Sequence, residues 1–196
     1  MRKIIVLSYL TLDGFTASSD GSSKWIVWDE GVDEYYIETQ RTADAIIFGR
    51  TTYESLKDYW STSKSAHENP ELTGYINETK KIVFSKSLDK ADWNNTTILH
   101  QIAPEEIKAL KKESGRNIMI IGSGSVVSQL ANANLIDEYR FISMPVVLGE
   151  GKPYFQNLDH RLDLELVETR NFKCGNVLHR YQPKTYKEGE QRDETA

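Results

Sequence analysis

Two short segments join a glycine turn to the start of a helix. The first follows apolar residues 45–48 and consists of Gly49, Arg50, Thr51 and Thr52; the second follows apolar residues 118–121 and consists of Gly122, Ser123, Gly124 and Ser125. A strand that turns through glycine into a helix directs free backbone N–H groups and the positive end of the helix dipole toward an anion. Two such turns predict a site for the several phosphates of a dinucleotide. The plainer alternative for each is a tight turn with a threonine or serine helix cap.

A third segment adds hydroxyl groups and positive charge. Residues 81–85 are predicted to form a buried strand that ends in Ser85, and Lys86 and Ser87 follow it. A ribose 2′-phosphate binds best to a localised positive charge with hydroxyl donors beside it. The segment therefore predicts a 2′-phosphate contact, with an exposed loop lysine as the alternative.

Alternating strands and helices place these segments in an α/β domain. Buried strands are predicted over 4–9, 45–48, 81–85 and 118–121, and helices over 33–42, 53–59, 104–113 and 125–132. Their helix starts are assigned to Thr51 or Thr52, to Ala103 before Pro104, and to Ser123 or Ser125. After Asp137 the pattern changes to strands over 138–145, 162–172 and 177–182, with a hairpin turn at residues 174–176. We expect a mixed, mostly parallel central sheet with helices on both faces and an antiparallel C-terminal hairpin.

Composition and charge exclude several classes of protein. The 196 residues suit one domain, which we assign to 1–183, with a disordered tail over 184–196 that lacks apolar periodicity. A net charge of -5 argues against a nucleic-acid partner. Cys174 is the only cysteine and the four histidines are widely spaced, so no metal site is expected. No signal peptide or membrane-length apolar stretch is present, which predicts a cytoplasmic protein without a membrane partner.

In this order, the three segments resemble the cofactor-binding motifs of the dihydrofolate reductase superfamily. Two further stretches, residues 11–26 and 135–153, are more similar to the reductase domain of bacterial riboflavin biosynthesis, in its stand-alone form, than to dihydrofolate reductase itself. The resemblance covers about residues 2–182. It implies a three-layer dihydrofolate reductase-like fold and an NADPH-dependent oxidoreductase.

The resemblance also implies a role for each motif residue. Gly49, Thr51 and Thr52 would hold phosphate and ribose, and Arg50, Ser85 and Lys86 would surround the 2′-phosphate. Gly122, Ser123, Gly124 and Ser125 would lie along the pyrophosphate, at a turn that contains a non-proline cis peptide bond in related reductases. The backbone near Tyr9 would orient the nicotinamide, and the substrate would contact Asp13 and Trp25.

Asp33 is the candidate catalytic acid. It follows Trp28 by five residues and precedes Gly49 by sixteen, a spacing similar to that of the active-site acid of dihydrofolate reductase. A carboxyl group in an apolar cleft can supply or relay the proton that accompanies hydride addition to a C=N bond. The alternative is that Asp33, like Asp29 and Glu30, only complements the helix dipole.

Departures from the family pattern limit the functional prediction. Phe15 occupies a position that is often basic in the riboflavin enzymes, which weakens the case for a phosphorylated sugar substrate. Ser123 replaces the usual central glycine, and no zinc deaminase motif is present. We expect reduction of a small imine or carbonyl substrate, most like 5-amino-6-(5-phosphoribosylamino)uracil. A dihydrofolate or pterin reductase and a nucleotide-binding module without turnover are the alternatives.

The resemblance and the apolar residues 139–148 also suggest a homodimer.

Overall fold

The central feature of the fold is an eight-stranded sheet covered by helices. The computed structural model describes residues 1–185. Its strands are β1 (Ile4–Thr11), β2 (Phe15–Ala17), β3 (Ala43–Gly49), β4 (Lys80–Phe84), β5 (Thr96–Leu99), β6 (Asn117–Ile121), β7 (Glu138–Met144), β8 (Lys152–Pro153), β9 (Leu164–Asn171) and β10 (Val177–Pro183). Its helices are α1 (Glu30–Arg41), α2 (Arg50–Trp60), α3 (Ser63–Glu68), α4 (Pro70–Glu78), α5 (Pro104–Lys112) and α6 (Gly124–Asn132).

The strand order brings the carboxyl ends of six parallel strands to one edge. The order is β5-β4-β3-β6-β1-β7-β10-β9, and every neighbouring pair from β5 to β7 is parallel. Only β10 runs opposite to the other strands of this sheet. It pairs antiparallel with β7 and with β9, and β9 and β10 form the predicted C-terminal hairpin. β2 and β8 form a separate two-stranded ribbon. The prediction of a mixed, mostly parallel sheet is confirmed.

Apolar residues on successive strand positions explain the three layers. Ile46 and Ile47 of β3 are both fully buried although their side chains point to opposite faces. Ile47 belongs to the core that includes residues of α5 and α6, whereas Ile46 belongs to the core that includes residues of α1, α2 and α4. A sheet buried on both faces requires such continuous apolar strands.

Two helix starts, those of α1 and α2, differ from the predictions, and the starts of α5 and α6 agree with them. α1 begins at Glu30 rather than residue 33, because the Asp29 side chain caps it by accepting a 2.9 Å hydrogen bond from the Val32 amide. α2 begins at Arg50 with Gly49 as its N-cap, so Thr51 and Thr52 lie inside the helix. The cap of α6 is Ser123, and its side chain makes no capping hydrogen bond. The predicted start of α5 at Pro104 is confirmed.

Several short elements were not predicted. α3, α4, β2, β5 and β8 lie in segments without long apolar periodicity. Most of the predicted tail, 184–196, lies outside the described residues. No helix in the described chain is both long and apolar enough to cross a membrane.

The residues that suggested self-association serve the protein's own core. Tyr139, Phe141, Ile142 and Met144 on β7 are buried, since β7 lies between β1 and β10. The apolar character of this segment is therefore explained within one chain, and the homodimer stays a prediction.

Candidate cofactor and active site

The three predicted cofactor segments lie side by side at one edge of the sheet. Gly49 ends β3, Ser85 follows β4, and Gly122 follows β6, and these strands are neighbours in the order β4-β3-β6. Because all three strands are parallel, their carboxyl ends meet at the same edge. Ligands of open α/β sheets bind at this edge. The fold thus brings together segments that are far apart in the sequence.

The two glycine turns contact each other directly. The Gly49 amide donates a 2.8 Å hydrogen bond to Oγ of Ser123, and this hydroxyl donates a 2.9 Å bond to Oγ1 of Thr52. The Gly49 amide is therefore occupied within the protein. Neither α2 nor α6 has a side-chain cap. In α6 the Val126 amide donates to the Ser123 carbonyl oxygen at 2.9 Å, so the amides of Gly124 and Ser125 remain as donors for an anion, as do the amides that begin α2.

Backbone conformation explains the glycines of the second turn. Gly122 has φ +57° and Ser123 has φ +55°, so two successive residues adopt the left-handed conformation. A Cβ on Gly124 would lie 2.5 Å from the carbonyl oxygen of Tyr154, so no side chain fits there. The described residues contain no cis peptide bond, so the cis bond implied by the family resemblance is wrong for this turn. Positive φ angles produce the reversal instead.

Positive charge accompanies the uncapped helix starts. The Arg50 side chain is half exposed and pairs with Glu54 at 3.0 Å. An exposed pair of this kind contributes little stability, so the guanidinium can exchange Glu54 for a phosphate at small cost. Lys86 is exposed, and its ammonium makes no ion pair within residues 1–185. Arg50 follows β3 and Lys86 lies just after β4, and these two strands are neighbours in the sheet.

Ser85 has a structural role that its sequence position did not indicate. Its Oγ accepts hydrogen bonds from the amides of Ser87, at 3.2 Å, and Leu88, at 2.9 Å, which fixes the turn after β4. Its hydroxyl proton is still available to a ligand. The ring of His100, at the end of β5, lies 2.9 Å from the Ser85 carbonyl oxygen. His100 was missed because β5 was not predicted.

An aromatic group lies at the end of β1, beside the cofactor segments. The ring of Tyr9 meets Trp28 edge-on with centroids 4.8 Å apart, and Tyr36 lies 6.2 Å from Tyr9. The Tyr9 hydroxyl is buried and has no hydrogen-bond partner in the described chain. Nε1 of Trp25 is likewise buried without a partner. Both groups are buried hydrogen-bond donors without a partner in residues 1–185.

Asp33 lies on α1, three residues before Tyr36, and it is exposed rather than enclosed in the apolar cleft that was expected. Partial burial raises the pKa of its carboxyl group, and the nearby charge of Asp29 raises it further. Burial is also the main cause that raises the pKa of the Tyr9 hydroxyl, followed by Tyr36 and the Asp33 charge. Asp33 and Tyr9 therefore interact electrostatically. A carboxyl group that keeps its proton to higher pH suits a proton donor.

The carboxylate of Asp13 is hydrogen-bonded to other groups of the protein. Its carboxylate accepts hydrogen bonds from the Thr11 hydroxyl at 2.6 Å and from the amides of Leu148, at 3.1 Å, and Gly149, at 2.8 Å. The hydrogen bond from Thr11 is the main cause that lowers the pKa of Asp13, and the two amides add to it. Asp13 thus fastens the loop after β7 to the loop after β1. A direct substrate contact by Asp13 stays a prediction.

Tyr154 supports the second glycine turn through its side-chain hydroxyl. Its hydroxyl accepts a 2.8 Å hydrogen bond from Ser8 Oγ and donates a 3.3 Å bond to the carbonyl oxygen of Gly122. The side chain is 2% exposed. Sequence reasoning missed Tyr154 because only the tertiary fold brings residue 154 beneath residue 122.

The comparisons with known proteins agree with this arrangement. The family model described as the RibD C-terminal domain matches residues 2–178. The uncharacterized protein YyaP of Bacillus subtilis (strain 168) is 33% identical over 176 residues, which are 90% of this chain and 92% of YyaP.

Two solved structures share the fold. A putative riboflavin biosynthesis protein from Shewanella sp. PV-4 has a TM-score of 0.75 and 20% identity, with 93% of this chain and 99% of that chain covered. A pyrimidine reductase-like protein from Corynebacterium diphtheriae has a TM-score of 0.70 and 16% identity, with 94% and 93% covered. The predicted dihydrofolate reductase-like fold is confirmed.

Proposed function

The chain belongs to the RibD C-terminal domain family, and we propose that it is an NADPH-dependent reductase that transfers hydride to a small imine or carbonyl compound. The observation that carries this proposal is the contact between Gly49 and Ser123, which joins two uncapped helix starts at one sheet edge. One helix start suits a single phosphate, whereas two adjoining starts suit a pyrophosphate. The similar proteins named as a riboflavin biosynthesis protein and a pyrimidine reductase-like protein support the same reaction class.

The residues present fit a nicotinamide dinucleotide with a 2′-phosphate. The amides that begin α2 and α6, including Thr51, Gly124 and Ser125, would hold the pyrophosphate. Arg50 and Lys86 would hold the 2′-phosphate, with the hydroxyl of Ser85 as a further donor. The backbone of Gly122 and Gly124 would lie close to the phosphates, as a turn without side chains allows.

Bound NADPH would supply the hydride, and the protein's own groups would align and protonate the substrate. The strand end at Tyr9 lies next to the Gly122 turn, because the Gly122 amide donates a 3.3 Å hydrogen bond to the Leu7 carbonyl of β1. Asp33 would donate the proton. The aminouracil reductases of riboflavin biosynthesis are the nearest functional model.

Absorbance at the NADPH band, followed with a panel of aminouracils, pterins and simple imines, tests the proposal. Cofactor-dependent loss of this absorbance with any aminouracil or imine supports it. Turnover confined to dihydropterins would favour a pterin reductase instead. Tight NADPH binding without oxidation by any compound would favour a nucleotide-binding module and contradict the proposal.

A further inference from the structure

The connection between β4 and β5, residues 85–95, carries Lys86 and contains no helix or strand. It leaves the carboxyl end of β4 and must run back along the sheet, because β5 is parallel to β4. Lys86 is exposed near its start, where the Ser85 hydroxyl accepts hydrogen bonds from the amides of Ser87 and Leu88. A segment without helix or strand hydrogen bonds needs other contacts to keep one conformation. The conformation around Lys86 therefore depends on where the rest of the connection is held.

Trp93 holds the end of this connection in the core. Its side chain is 5% exposed, and the centroid of its ring lies 6.3 Å from that of Phe48 in β3 and 5.8 Å from that of Tyr53 in α2. Its Nε1 donates a 2.6 Å hydrogen bond to Oδ1 of Asn77 in α4. The buried ammonium of Lys81 in β4 lies 4.8 Å from the ring centroid. Trp93 therefore fixes the end of the connection against both the sheet and the helices.

The hydroxyl of Tyr53 joins the connection to α2, the helix that begins with Arg50. It accepts a 3.1 Å hydrogen bond from the backbone amide of Trp93, and this contact is buried. The preceding residue, Asp92, pairs at 2.6 Å with Lys57, one turn further along α2. The hydrogen bond from Lys57 is the main cause that lowers the pKa of the Asp92 carboxyl group, and the Tyr53 hydroxyl also lowers it. Two successive residues of the connection thus contact two successive turns of α2.

We propose that Tyr53 and Trp93 are positioning residues for cofactor selectivity, because they hold the connection on α2 and so set the distance between Lys86 and Arg50. This inference rests on the proposed function, in which these two cations hold the 2′-phosphate of NADPH. A phosphate that is held by cations from two different elements binds most tightly when both cations are already in place. NADH lacks this phosphate. The contact between Tyr53 and Trp93 should therefore matter for NADPH and not for NADH.

Tyr53→Phe tests the inference, because it removes the hydroxyl that accepts from the Trp93 amide and keeps the aromatic ring in the core. Fluorescence titrations with NADPH and with NADH, at one fixed salt concentration, measure its effect. We expect the NADPH affinity to fall about fivefold, as for the loss of one buried hydrogen bond, and the NADH affinity to stay within about twofold. An equal loss for both cofactors would indicate a purely structural role and overturn the inference.

A control variant and a double variant identify the route of the effect. Tyr59→Phe is the matched control, because Tyr59 lies on the same helix and its hydroxyl donates to Glu68 of α3 instead of contacting the connection. It should leave the preference for NADPH unchanged. Lys86→Ala should narrow this preference less in the Tyr53→Phe protein than in the wild type, since the two residues are expected to act together. Equal effects in both proteins would show that Tyr53 does not act through Lys86.

Hydrogen exchange without any cofactor distinguishes this inference from the proposed function. The amides of Ser87 and Leu88 should exchange faster in Tyr53→Phe than in the wild type. Unchanged exchange at both amides would contradict the inference. Equal binding of NADPH and NADH by the wild type, or binding of neither, would overturn the proposed function and the role in selectivity with it. A wild-type preference that Tyr53→Phe leaves unchanged would overturn the inference alone.

Discussion

The backbone amide of Gly49 donates a 2.8 Å hydrogen bond to the side-chain hydroxyl of Ser123, so a turn after β3 and a turn after β6 form one structural unit. The same hydroxyl donates a hydrogen bond to Oγ1 of Thr52 in the first turn of α2. One hydroxyl therefore fixes the distance between two helix starts. The side chain of Ser123 thus links the two turns.

Substitution of Ser123 should separate its hydroxyl from its backbone conformation. Ser123→Ala removes both hydrogen bonds but keeps a side chain at φ +55°, whereas Ser123→Gly removes the bonds and relieves the left-handed strain. A lost hydrogen bond costs about 1 kcal/mol and left-handed strain about 1–2 kcal/mol. We expect both variants to bind NADPH more weakly, and only Ser123→Ala to unfold clearly earlier in urea. Wild-type cofactor affinity in both variants would show that the contact does not position the two helix starts.

Gly122→Ala should weaken NADPH binding at least tenfold, or about 1.4 kcal/mol, and leave the protein folded. The added methyl group has ordinary contacts, 3.5 Å from Thr52, but φ +57° is strained for alanine. Gly74→Ala is the control, because Gly74 lies inside α4 with no atom within 4 Å of the added Cβ. Fluorescence titration and circular dichroism together measure both effects. An unchanged affinity would show that this turn is only a connection.

Asp33→Asn should lower the rate of substrate reduction by more than tenfold and leave NADPH affinity unchanged, since the carboxyl group is assigned to proton donation. The raised pKa keeps Asp33 protonated to higher pH than an ordinary aspartate, so turnover should fall as pH rises through that pKa. The variant should lose this pH dependence. It should also be at least as stable at neutral pH, because a carboxyl group whose pKa is raised in the folded state destabilises the fold when it is charged. Glu34→Gln, one residue away and exposed, is the control; an equal loss of rate there would contradict the assignment.

Asp13→Asn should loosen the loop after β7. The substitution weakens the acceptor for the Leu148 and Gly149 amides, so hydrogen exchange at these two amides should accelerate. The pKa of Asp13 is lowered in the folded protein, so its carboxylate stabilises the fold above the unfolded pKa, and this contribution disappears as pH falls through the folded pKa. Asp20→Asn, in the turn closed by Ser22, is the control. Unchanged exchange at Leu148 and Gly149 would show that Asp13 does not fasten the loop.

The local sequence was sufficient to predict those elements that a single residue type or a short apolar run determines. The apolar runs 45–48 and 118–121 predict buried strands, and the glycines after them predict turns. Only Gly122 of these two adopts positive φ, which few other residues do; Gly49 has φ -87°. The start of α5 at Pro104 follows from the fixed φ of proline. These signals were enough to anticipate the cofactor side of the candidate site.

The remaining features of the candidate site depend on contacts between residues that are distant in the sequence. The hydroxyl of Ser123 accepts a hydrogen bond from the Gly49 amide and donates one to Thr52, and the Tyr154 hydroxyl donates one to the Gly122 carbonyl oxygen. No local pattern indicates these contacts. Asp29 caps α1 while also binding the amide of Cys174 in the C-terminal hairpin. Strand β5 has only four residues and no alternating pattern, so His100 could not be placed beside Ser85.

The preference for NADPH over NADH tests the central claim most directly. Titrations of the wild-type protein with both cofactors at one fixed salt concentration should give NADPH binding at least tenfold tighter. Lys86→Ala should narrow this preference about ten- to a hundredfold, since a charge-assisted contact contributes about 1.5–3 kcal/mol. Lys80→Ala, at the exposed opposite end of the same strand, should leave it unchanged. Equal affinities for NADPH and NADH in the wild-type protein, or no binding of either, would contradict the account.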